Sequence, residues 1–490
     1  MNKLYKKVNA FVGSSTFFWI ILGYFILSAT WVALSFSFPL PYDEYFHIPI
    51  IQAYSEGISP FVSNQPVIYD RLGDLNMLES RWAGLYHYLL SFVYSLVSFF
   101  TDSFTFKVVS LRMLNIAMAA SGIYFFAELF IKQLGFKPKH TNIGLLFFVM
   151  LPVVSLVAAH VNYDNMLFPA TALFLIYFVK TLKNKNINII HILNFFSIGL
   201  FASLIKFSFL PIFAFGVMVS LVKHLRTYGR GFFKNAQTSF KNSSRKLLIF
   251  SLIPFLVLST LFTANYIANI VKYRSPIPSC RQTLSVERCL SNPLINEYSN
   301  IRATANERPQ LPIYRYFHEW LIIVIDNFSW TANNTQTGLR TGSATTLFKT
   351  VVYVAALAAP LAIAYSWRLA PHTSVEKRAI LAVAVVLLVS VFLKNYDTHI
   401  HYRTYSAIQS RYLLSVLPIF MVFTAASIGA IVRRRSIKLM GLLLTGFLLL
   451  QGGLITHIRQ SDESWYFENS RISEINIELK ALSEGFIYKR

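Results

Sequence analysis

The chain has 490 residues, of which 54% are hydrophobic and only 14% charged, and its mean hydropathy is +0.49. Because soluble domains carry roughly a quarter charged residues, this composition excludes an ordinary soluble protein. The formal net charge of +23 does not indicate nucleic-acid binding, since Lys and Arg concentrate in short loops between alternate apolar runs. That distribution is typical of membrane proteins, and the partners we expect are membrane lipids and no nucleic acid.

The apolar residues come in runs of about twenty, the length of a membrane-spanning helix. Since backbone polar groups must be paired in lipid, the runs predict an all-α polytopic helix bundle with about eleven transmembrane helices plus juxtamembrane helices. The first run is too long for a signal-peptide core, so we expect a retained helix. The predicted spans are 17–38, 106–131, 142–160, 162–181, 187–205, 207–222, 247–270, 348–367, 379–393, 412–432 and 439–456.

The basic loops predict the orientation of these spans. Segment 83–100 is apolar, but counting it as a span would place the basic segment 132–140 outside the cytoplasm, so we interpret it as juxtamembrane or re-entrant. Loop 223–246 is then cytoplasmic. The predicted parts are a membrane module (1–270) with a first outer loop (39–105), an outer loop (271–347), C-terminal spans (348–456) and an outer, amphipathic tail (457–490).

Both cysteines of the chain, Cys280 and Cys289, fall in the predicted outer loop. A local disulfide is expected there if the loop lies on the oxidising side of the membrane, and a pair of free thiols is the alternative. The sequence has no evident internal repeat, which counts mildly against a channel or transporter.

The first outer loop begins with two adjacent acids, Asp43 and Glu44, a few residues beyond the first span. Pro49 suits the first turn of a short helix and Gly57 its C-terminal cap. An acid held at the bilayer edge is suited to act as a general base between a lipid-borne and an aqueous substrate; the alternative is a solvated acid pair. The apolar residues expected to rest on the membrane surface are Ile50, Ile51, Ala53 and Tyr54.

Three further groups are candidates at the same side of the membrane. Asp164, after His160, starts a predicted span, although the helix macrodipole alone favours an acid there. Lys206 interrupts an apolar stretch, which is a functional signal unless the side chain only snorkels to the interface. Arg403 and Arg411 suit bidentate phosphate binding, and they share a predicted short outer loop with His399 and His401, which have no further metal ligands at matching spacing.

The stretch DEYFHIPIIQAYSEG (43–57) resembles the first-loop motif of the endoplasmic-reticulum dolichyl-phosphate-glucose α-1,2-glucosyltransferases, which finish the lipid-linked oligosaccharide for N-glycosylation. The wider pattern is similar to the GT-C superfamily of membrane glycosyltransferases, with an acid in the first outer loop and a second acid starting the fourth span. SRYLLSVLP (410–418) and LRMLN (111–115) are similar to segments of bacterial members. The residues that carry the motif resemblance are Asp43, Glu44, Phe46, His47, Ile48, Pro49, Tyr54 and Gly57.

The resemblance implies an inverting glycosyltransferase that uses a polyprenyl-phosphate sugar and a lipid-, glycan- or protein-borne acceptor. It implies no cofactor and indicates no metal. Asp43 would be the base, Glu44 would assist or orient it, and Asp164 would position the acceptor. The implied donor-phosphate ligands are Lys206, Arg403 and Arg411, and the supporting residues are His47 and Tyr412.

The long loop with two cysteines and the few glycosylation sequons differ from the reticulum enzymes, so we expect a bacterial cytoplasmic membrane with the active site facing outside; the reticulum membrane is the alternative. The sugar, the acceptor and the linkage stay open. Competing functions are a flippase or transporter of a lipid-linked sugar and a structural subunit. An enzyme needs Asp43 for turnover, whereas a flippase or a structural subunit does not.

Overall fold

The computed structural model describes residues 2–40, 43–57, 84–184, 186–283, 285–290, 293–331, 346–369, 374–405, 408–432, 434, 436–438, 440–441, 446, 452–468 and 470–488. Within these ranges the chain is predominantly helical and has no β-strand beyond one antiparallel bridge between Phe36 and Tyr466. The helices are α1 (Asn2–Val12), α2 (Ser15–Ser35), α3 (Glu44–Ser55), α4 (Leu85–Phe100), α5 (Phe104–Glu128), α6 (Pro138–Met150), α7 (Pro152–Ala158), α8 (Asp164–Lys183), α9 (Ile189–Ile205), α10 (Leu210–Tyr228), α11 (Phe232–Asn242), α12 (Arg245–Phe262), α13 (Ala268–Tyr273), α14 (Cys280–Thr283), α15 (Val286–Leu290), α16 (Pro293–Ala303), α17 (Ile313–Asn327), α18 (Thr346–Leu369), α19 (Val375–Tyr402), α20 (Leu417–Ile431), α21 (Gly453–Gln460) and α22 (Arg471–Tyr488).

The predicted polytopic all-α membrane fold is confirmed. Seven helical segments of the described chain are long and apolar enough to cross a membrane, and α6 with α7 forms an eighth if that pair, bent by 73°, is one span. Three shorter apolar helices are α4, α9 and α20. Of the eleven predicted spans, the last (439–456) lies mostly outside the described residues.

Helix α8 lies at the centre of the bundle and α12 at its periphery. The best apolar window of α8 is 72% buried, whereas that of the segment containing α12 is 6% buried. Around α8 the rings of Phe174, Phe178 and Phe195 stack with centroids 4.8–6.2 Å apart. Offset aromatic stacking adds to the dispersion energy of such a core, so α8 is a fixed element on which a site can be built.

Two expectations for the site helices were wrong. Helix α3 begins at Glu44, directly after Asp43, so Pro49 lies inside the helix and not in its first turn. The apolar face of α3 is buried against protein and not laid on the membrane, since Ile50 and Tyr54 are only 7% and 4% exposed and Tyr88 of α4 packs on them. Gly57 follows the helix with φ of +94°, as a C-terminal cap requires.

The predicted loop at 399–403 is also largely helical. Helix α19 extends to Tyr402, so His399 and His401 lie in its last turn. Arg403 ends the helix with φ of +50°. Only the segment after Arg403 connects to the 3-10 turn Ser410–Leu413 that leads into α20.

The two cysteines and the tail are each tied to other parts of the chain. Cys280 and Cys289 are joined by a disulfide with their Cα atoms 5.9 Å apart. Helix α22 packs on α2, where Asn476 accepts a hydrogen bond from Trp31 Nε1 at 2.8 Å and donates one to Ser35 Oγ at 2.8 Å. These bonds hold the end of the chain against the first span.

Candidate functional site

Asp43 stands at the junction of the first span and α3, at the end of the bundle predicted to face outside, called the outer end below. It is the N-terminal flanking residue of α3 and has φ of +75° and ψ of +15°. A non-glycine residue in this left-handed region is uncommon and tends to mark functional sites. Its carboxylate forms an ion pair with Arg411 while the side chain stays 36% exposed. The Asp43 carboxylate is therefore held in place by an ion pair and is still accessible to solvent.

A second ion pair joins Asp164 to Lys206. Asp164 is the first residue of α8, and Lys206 caps the C-terminal end of α9. The Lys206 ammonium lies 2.5 Å from Asp164 Oδ1, and the two side chains are 6–7% exposed. Asp164 Oδ2 is buried without a hydrogen-bond partner in the described part of the chain. Such an oxygen is costly to leave unpaired, so it is suited to accept a bond from a ligand hydroxyl.

Two tyrosine rings connect these ion pairs into one cluster. The Lys206 ammonium lies 4.5 Å from the ring centroid of Tyr163 and 4.5 Å from that of Tyr412. The Arg411 guanidinium carbon lies 5.3 Å from the ring of Tyr412. Cations over aromatic faces are attracted to the ring quadrupole. We call Asp43, Asp164, Lys206, Arg411, Tyr163 and Tyr412 the outer cluster.

The electrostatics of the outer cluster leave Lys206 with an unusual proton affinity. Burial disfavours the ammonium and lowers the pKa of Lys206 to about 8, although the adjacent Asp164 carboxylate acts in the opposite direction. Arg411 keeps its charge because a guanidinium is not deprotonated in proteins. The cluster therefore holds two cations and two carboxylates in a largely water-free setting, where each interaction is stronger than in water.

Glu44 points away from the outer cluster into the protein. Its two oxygens accept hydrogen bonds from Arg112 Nε at 2.9 Å and Nη2 at 2.6 Å, and both side chains are fully buried. The backbone N–H groups of Leu40 and Val161 also donate to Glu44, at 2.8 and 3.1 Å. Burial opposes ionisation, but the Arg112 charge wins and holds the pKa of Glu44 below its ordinary value. In this geometry Glu44 is a structural anchor, and its predicted catalytic assistance stays a prediction.

Arg112 completes that anchor from α5. Its Nη1 donates to the carbonyls of Ala33 and Phe36 at 3.1 and 2.6 Å, and Nη2 donates to Ser37 O at 3.1 Å. One guanidinium thus ties the end of α2 to the start of α3. Because Asp43 precedes Glu44 directly, this buried pair fixes the backbone on which the exposed acid is carried.

His47, predicted as a supporting residue, pairs with a histidine that sequence reasoning missed. His47 Nδ1 and His87 Nε2 of α4 lie 2.8 Å apart, and both rings are buried. The His47 ring packs edge-on against Tyr163 with centroids 4.9 Å apart. Burial first, and then the proximity of His87 and the charge of Arg411, lower the pKa of His47 well below its ordinary value, so the ring is neutral at pH 7.

In the described part of the chain, the hydrogen bonds of Arg403 go to backbone carbonyls and not to the outer cluster. Its Nη1 donates to the carbonyls of Arg308 and Asn306 at 2.8 and 3.4 Å. His399 is buried and accepts a hydrogen bond from the Leu311 N–H at 3.1 Å. Among the described residues, no group of three or more His, Cys, Asp or Glu side chains is arranged to hold a metal ion.

Three residues of this site, Tyr163, His87 and Arg112, were not predicted as site residues from the sequence. Tyr163 and His87 sit among many other aromatic and polar residues, and nothing in their spacing marks them. Arg112 had a usable signal, since a lone Arg inside a long apolar run is costly without a partner. Its partner is Glu44, 68 residues earlier.

No protein-family model and no curated protein matches the sequence. Among solved structures the chain is similar to ArnT from Cupriavidus metallidurans bound to undecaprenyl phosphate, with 12% identity and a TM-score of 0.48. It is also similar to the apo state of the same protein, with 12% identity and a TM-score of 0.46. In both comparisons the match covers 89% of this chain, which spans 64% of the length of the ArnT chain.

Proposed function

We propose that the protein is an integral-membrane inverting glycosyltransferase that moves a sugar from a polyprenyl-phosphate donor to an acceptor hydroxyl at the outer end. The observation that carries the proposal is the outer cluster, in which an exposed acid, a buried acid and two cations meet where spans end. Transfer from a lipid phosphate needs a base for the acceptor hydroxyl and cations for the departing phosphate. The outer cluster supplies both.

The reaction assigned to this site is a single displacement at the anomeric carbon of the donor sugar. The acceptor oxygen forms a bond to that carbon as the bond from the carbon to the phosphate oxygen breaks. Asp43 takes the hydroxyl proton, and the polyprenyl phosphate leaves with the electron pair of the broken bond. Arg411 and Lys206 stabilise the charge that develops on the phosphate, and Arg411 can do so bidentately. Asp164 Oδ2 orients the acceptor.

The ion pair of Asp43 with Arg411 makes the base dependent on the donor. In the ion pair the Asp43 carboxylate is engaged by Arg411 and not by an acceptor hydroxyl. A donor phosphate competes for Arg411 and so weakens the pair. The carboxylate is then released towards the acceptor only when the leaving group is in place.

The proposed setting is the bacterial cytoplasmic membrane with the outer cluster facing outside. The support is the distribution of basic loops and the disulfide between Cys280 and Cys289, since disulfides persist on the oxidising side. The sugar and the acceptor are not specified by the chemistry of the cluster. The partners we propose are the lipid-linked donor and a lipid-, glycan- or protein-borne acceptor.

The test is to purify the protein from membranes and identify its co-purifying lipids by mass spectrometry. A polyprenyl-phosphate sugar is expected, and addition of this lipid in labelled form to wild-type protein and membrane acceptors should yield a labelled product. A flippase would carry the same lipid but leave the sugar attached to it. Bound lipid without transfer to any membrane acceptor would contradict the proposal.

A further inference from the structure

A second candidate site extends along the bundle, and its end lined by Lys139 and Lys438 lies opposite to the outer cluster. A groove of about 480 Å³ runs between α6, α18 and α20. Its walls are almost entirely apolar and include Phe147 of α6, Val352 and Ala355 of α18, and Phe420 and Met421 of α20. Apolar walls of this kind favour an aliphatic chain over water or a polar ligand.

The floor of the groove is a closely packed pair of helices. A Cβ atom on Gly144 of α6 would lie 2.7 Å from the Cα of Val422 of α20, which only glycine avoids. At the end of the groove lined by Lys139 and Lys438, a Cβ atom on Gly429 would lie 2.6 Å from His140 Nε2. The two glycines therefore allow α6 and α20 to pack closely. Helix α18 forms the facing wall of the groove.

The end of the groove beneath α1 carries positive charge. Lys139, His140 and Lys438 line it together with Tyr5 and Asn9, and no Asp or Glu is among the lining residues that belong to the described part of the chain. Lys139 Nζ donates to Asn9 Oδ1 at 3.1 Å, and Lys438 Nζ donates to Gly429 O at 3.0 Å. Each ammonium retains further N–H donors for a ligand. This end complements an anionic head group.

The groove is long enough to hold an acyl chain of one leaflet. Helix α6 has 13 residues, which makes it about 20 Å long at 1.5 Å per residue. Half of a ~30 Å hydrocarbon core is ~15 Å. An acyl chain of one leaflet that starts at Lys139 and Lys438 would thus fit within the groove. A polyprenyl donor does not meet this geometry, because its phosphate is assigned to Lys206 and Arg411 at the other end.

We propose that this groove binds an anionic glycerophospholipid of the cytoplasmic leaflet, with its phosphate between Lys139 and Lys438 and one acyl chain between α6, α18 and α20. The site shares no residue with the outer cluster, and only the exclusion of a polyprenyl occupant rests on the proposed function. The basic loops that assign this end to the cytoplasm also place it beside the leaflet surface, where lysines attract anionic lipids.

The test uses the full-length protein, purified in detergent and incubated with equal amounts of phosphatidylglycerol and phosphatidylcholine, and counts bound lipids by native mass spectrometry. Wild type should prefer phosphatidylglycerol. K139Q/K438Q should reduce this preference by about tenfold or more, because it removes the two ammonium groups proposed to flank the phosphate, which favour a net-negative over a zwitterionic head group. The matched control K234Q/K241Q removes two exposed lysines from α11 and should leave the preference unchanged.

A second variant tests the chain-binding part of the groove. Ala425→Phe fills the groove from α20 without changing the charge, and should reduce binding of both phospholipids. If it lowers thermal stability, Ala359→Phe from the facing helix α18 repeats the measurement. Equal phosphatidylglycerol binding by wild type and K139Q/K438Q would overturn the proposal. The proposal would also be overturned if Ala425→Phe reduced the binding of a polyprenyl phosphate but not that of a phospholipid.

Discussion

Asp43 is ion-paired with Arg411, which lies 368 residues later in the chain. Asp43 precedes α3, and Arg411 belongs to the 3-10 turn that leads into α20. The pair joins the first outer loop to the C-terminal part of the bundle. In the proposed mechanism these residues are the base and a ligand of the leaving phosphate, so their contact links the two halves of the reaction.

The Glu44–Arg112 pair predicts a loss of stability in Glu44→Gln. The substitution keeps the side-chain shape but leaves Arg112 as a buried, uncompensated charge, which costs about 3–5 kcal/mol. Thermal unfolding of the purified protein should therefore occur at a clearly lower temperature. The double variant Glu44→Gln/Arg112→Met should recover part of the loss, since the charge is gone. A wild-type unfolding temperature for Glu44→Gln would show that the pair does not anchor the loop.

Arg411→Ala should weaken binding of the donor lipid. Charge-assisted hydrogen bonds are worth roughly 1.5–3 kcal/mol, which corresponds to roughly ten- to a hundredfold in affinity. Arg411→Lys should restore binding only in part, because Lys cannot bind a phosphate bidentately. Arg403→Ala, matched in residue type, should bind like wild type, since Arg403 bonds to loop carbonyls. Titration of each variant with the donor checks this, and equal affinities for Arg411→Ala and wild type would place the phosphate elsewhere.

Lys206 predicts a pH dependence of donor binding. Burial lowers its pKa to about 8, so the ammonium is present below this pH and is lost as the pH rises through it. A phosphodiester donor keeps its single negative charge throughout this range. Affinity should therefore fall by about tenfold between pH 7 and pH 9, as the charged fraction falls.

Lys206→Arg is the control for that profile, because its charge persists to pH 9. Its donor affinity should stay nearly constant where that of wild type falls. The unfolding temperature at each pH separates loss of the ligand site from loss of the fold. Identical profiles for wild type and Lys206→Arg would assign the titration to another group.

The orientation predicts which side of the membrane a new cysteine faces. Lys234→Cys on α11 should react with a membrane-impermeant thiol reagent only after the cells are permeabilised, since its loop is assigned to the cytoplasm. The two native cysteines are joined to each other and give no background. Reaction in intact cells would reverse the topology and place the outer cluster in the cytoplasm.

The apolar runs were sufficient to predict the helical bundle and most of its spans, because about twenty apolar residues have one stable arrangement in lipid. Lys206 was predicted as a site residue because a cation within an apolar run is costly unless it has a function or its side chain reaches the interface. The boundaries of α3 and α19 were wrong. Pro49 is compatible with a helix interior here as well as with a first turn, and α19 continues through polar residues that have no strong helix-stop signal before Arg403.

The pairing of charges could not be predicted from local sequence. Nothing near Asp43 indicates Arg411, and nothing near Glu44 indicates that its carboxylate turns inward to Arg112 while its neighbour stays exposed. Adjacent residues at the start of a helix point in different directions, so an acid pair in sequence need not be a pair in space. The division between the exposed acid and the anchor therefore depends on tertiary packing.

The most direct measurement of the central claim compares sugar transfer and donor binding in Asp43→Asn. The substitution keeps the shape of Asp43 but removes its ability to accept a proton. General base catalysis contributes roughly a hundred- to ten-thousandfold, so transfer of labelled sugar from polyprenyl phosphate to membrane acceptors should fall by at least that order. Donor affinity should not fall, because the amide no longer competes with the phosphate for the Arg411 charge, and protein yield should remain near that of wild type. Transfer by Asp43→Asn at the wild-type rate would show that Asp43 is not the base and would contradict the mechanism.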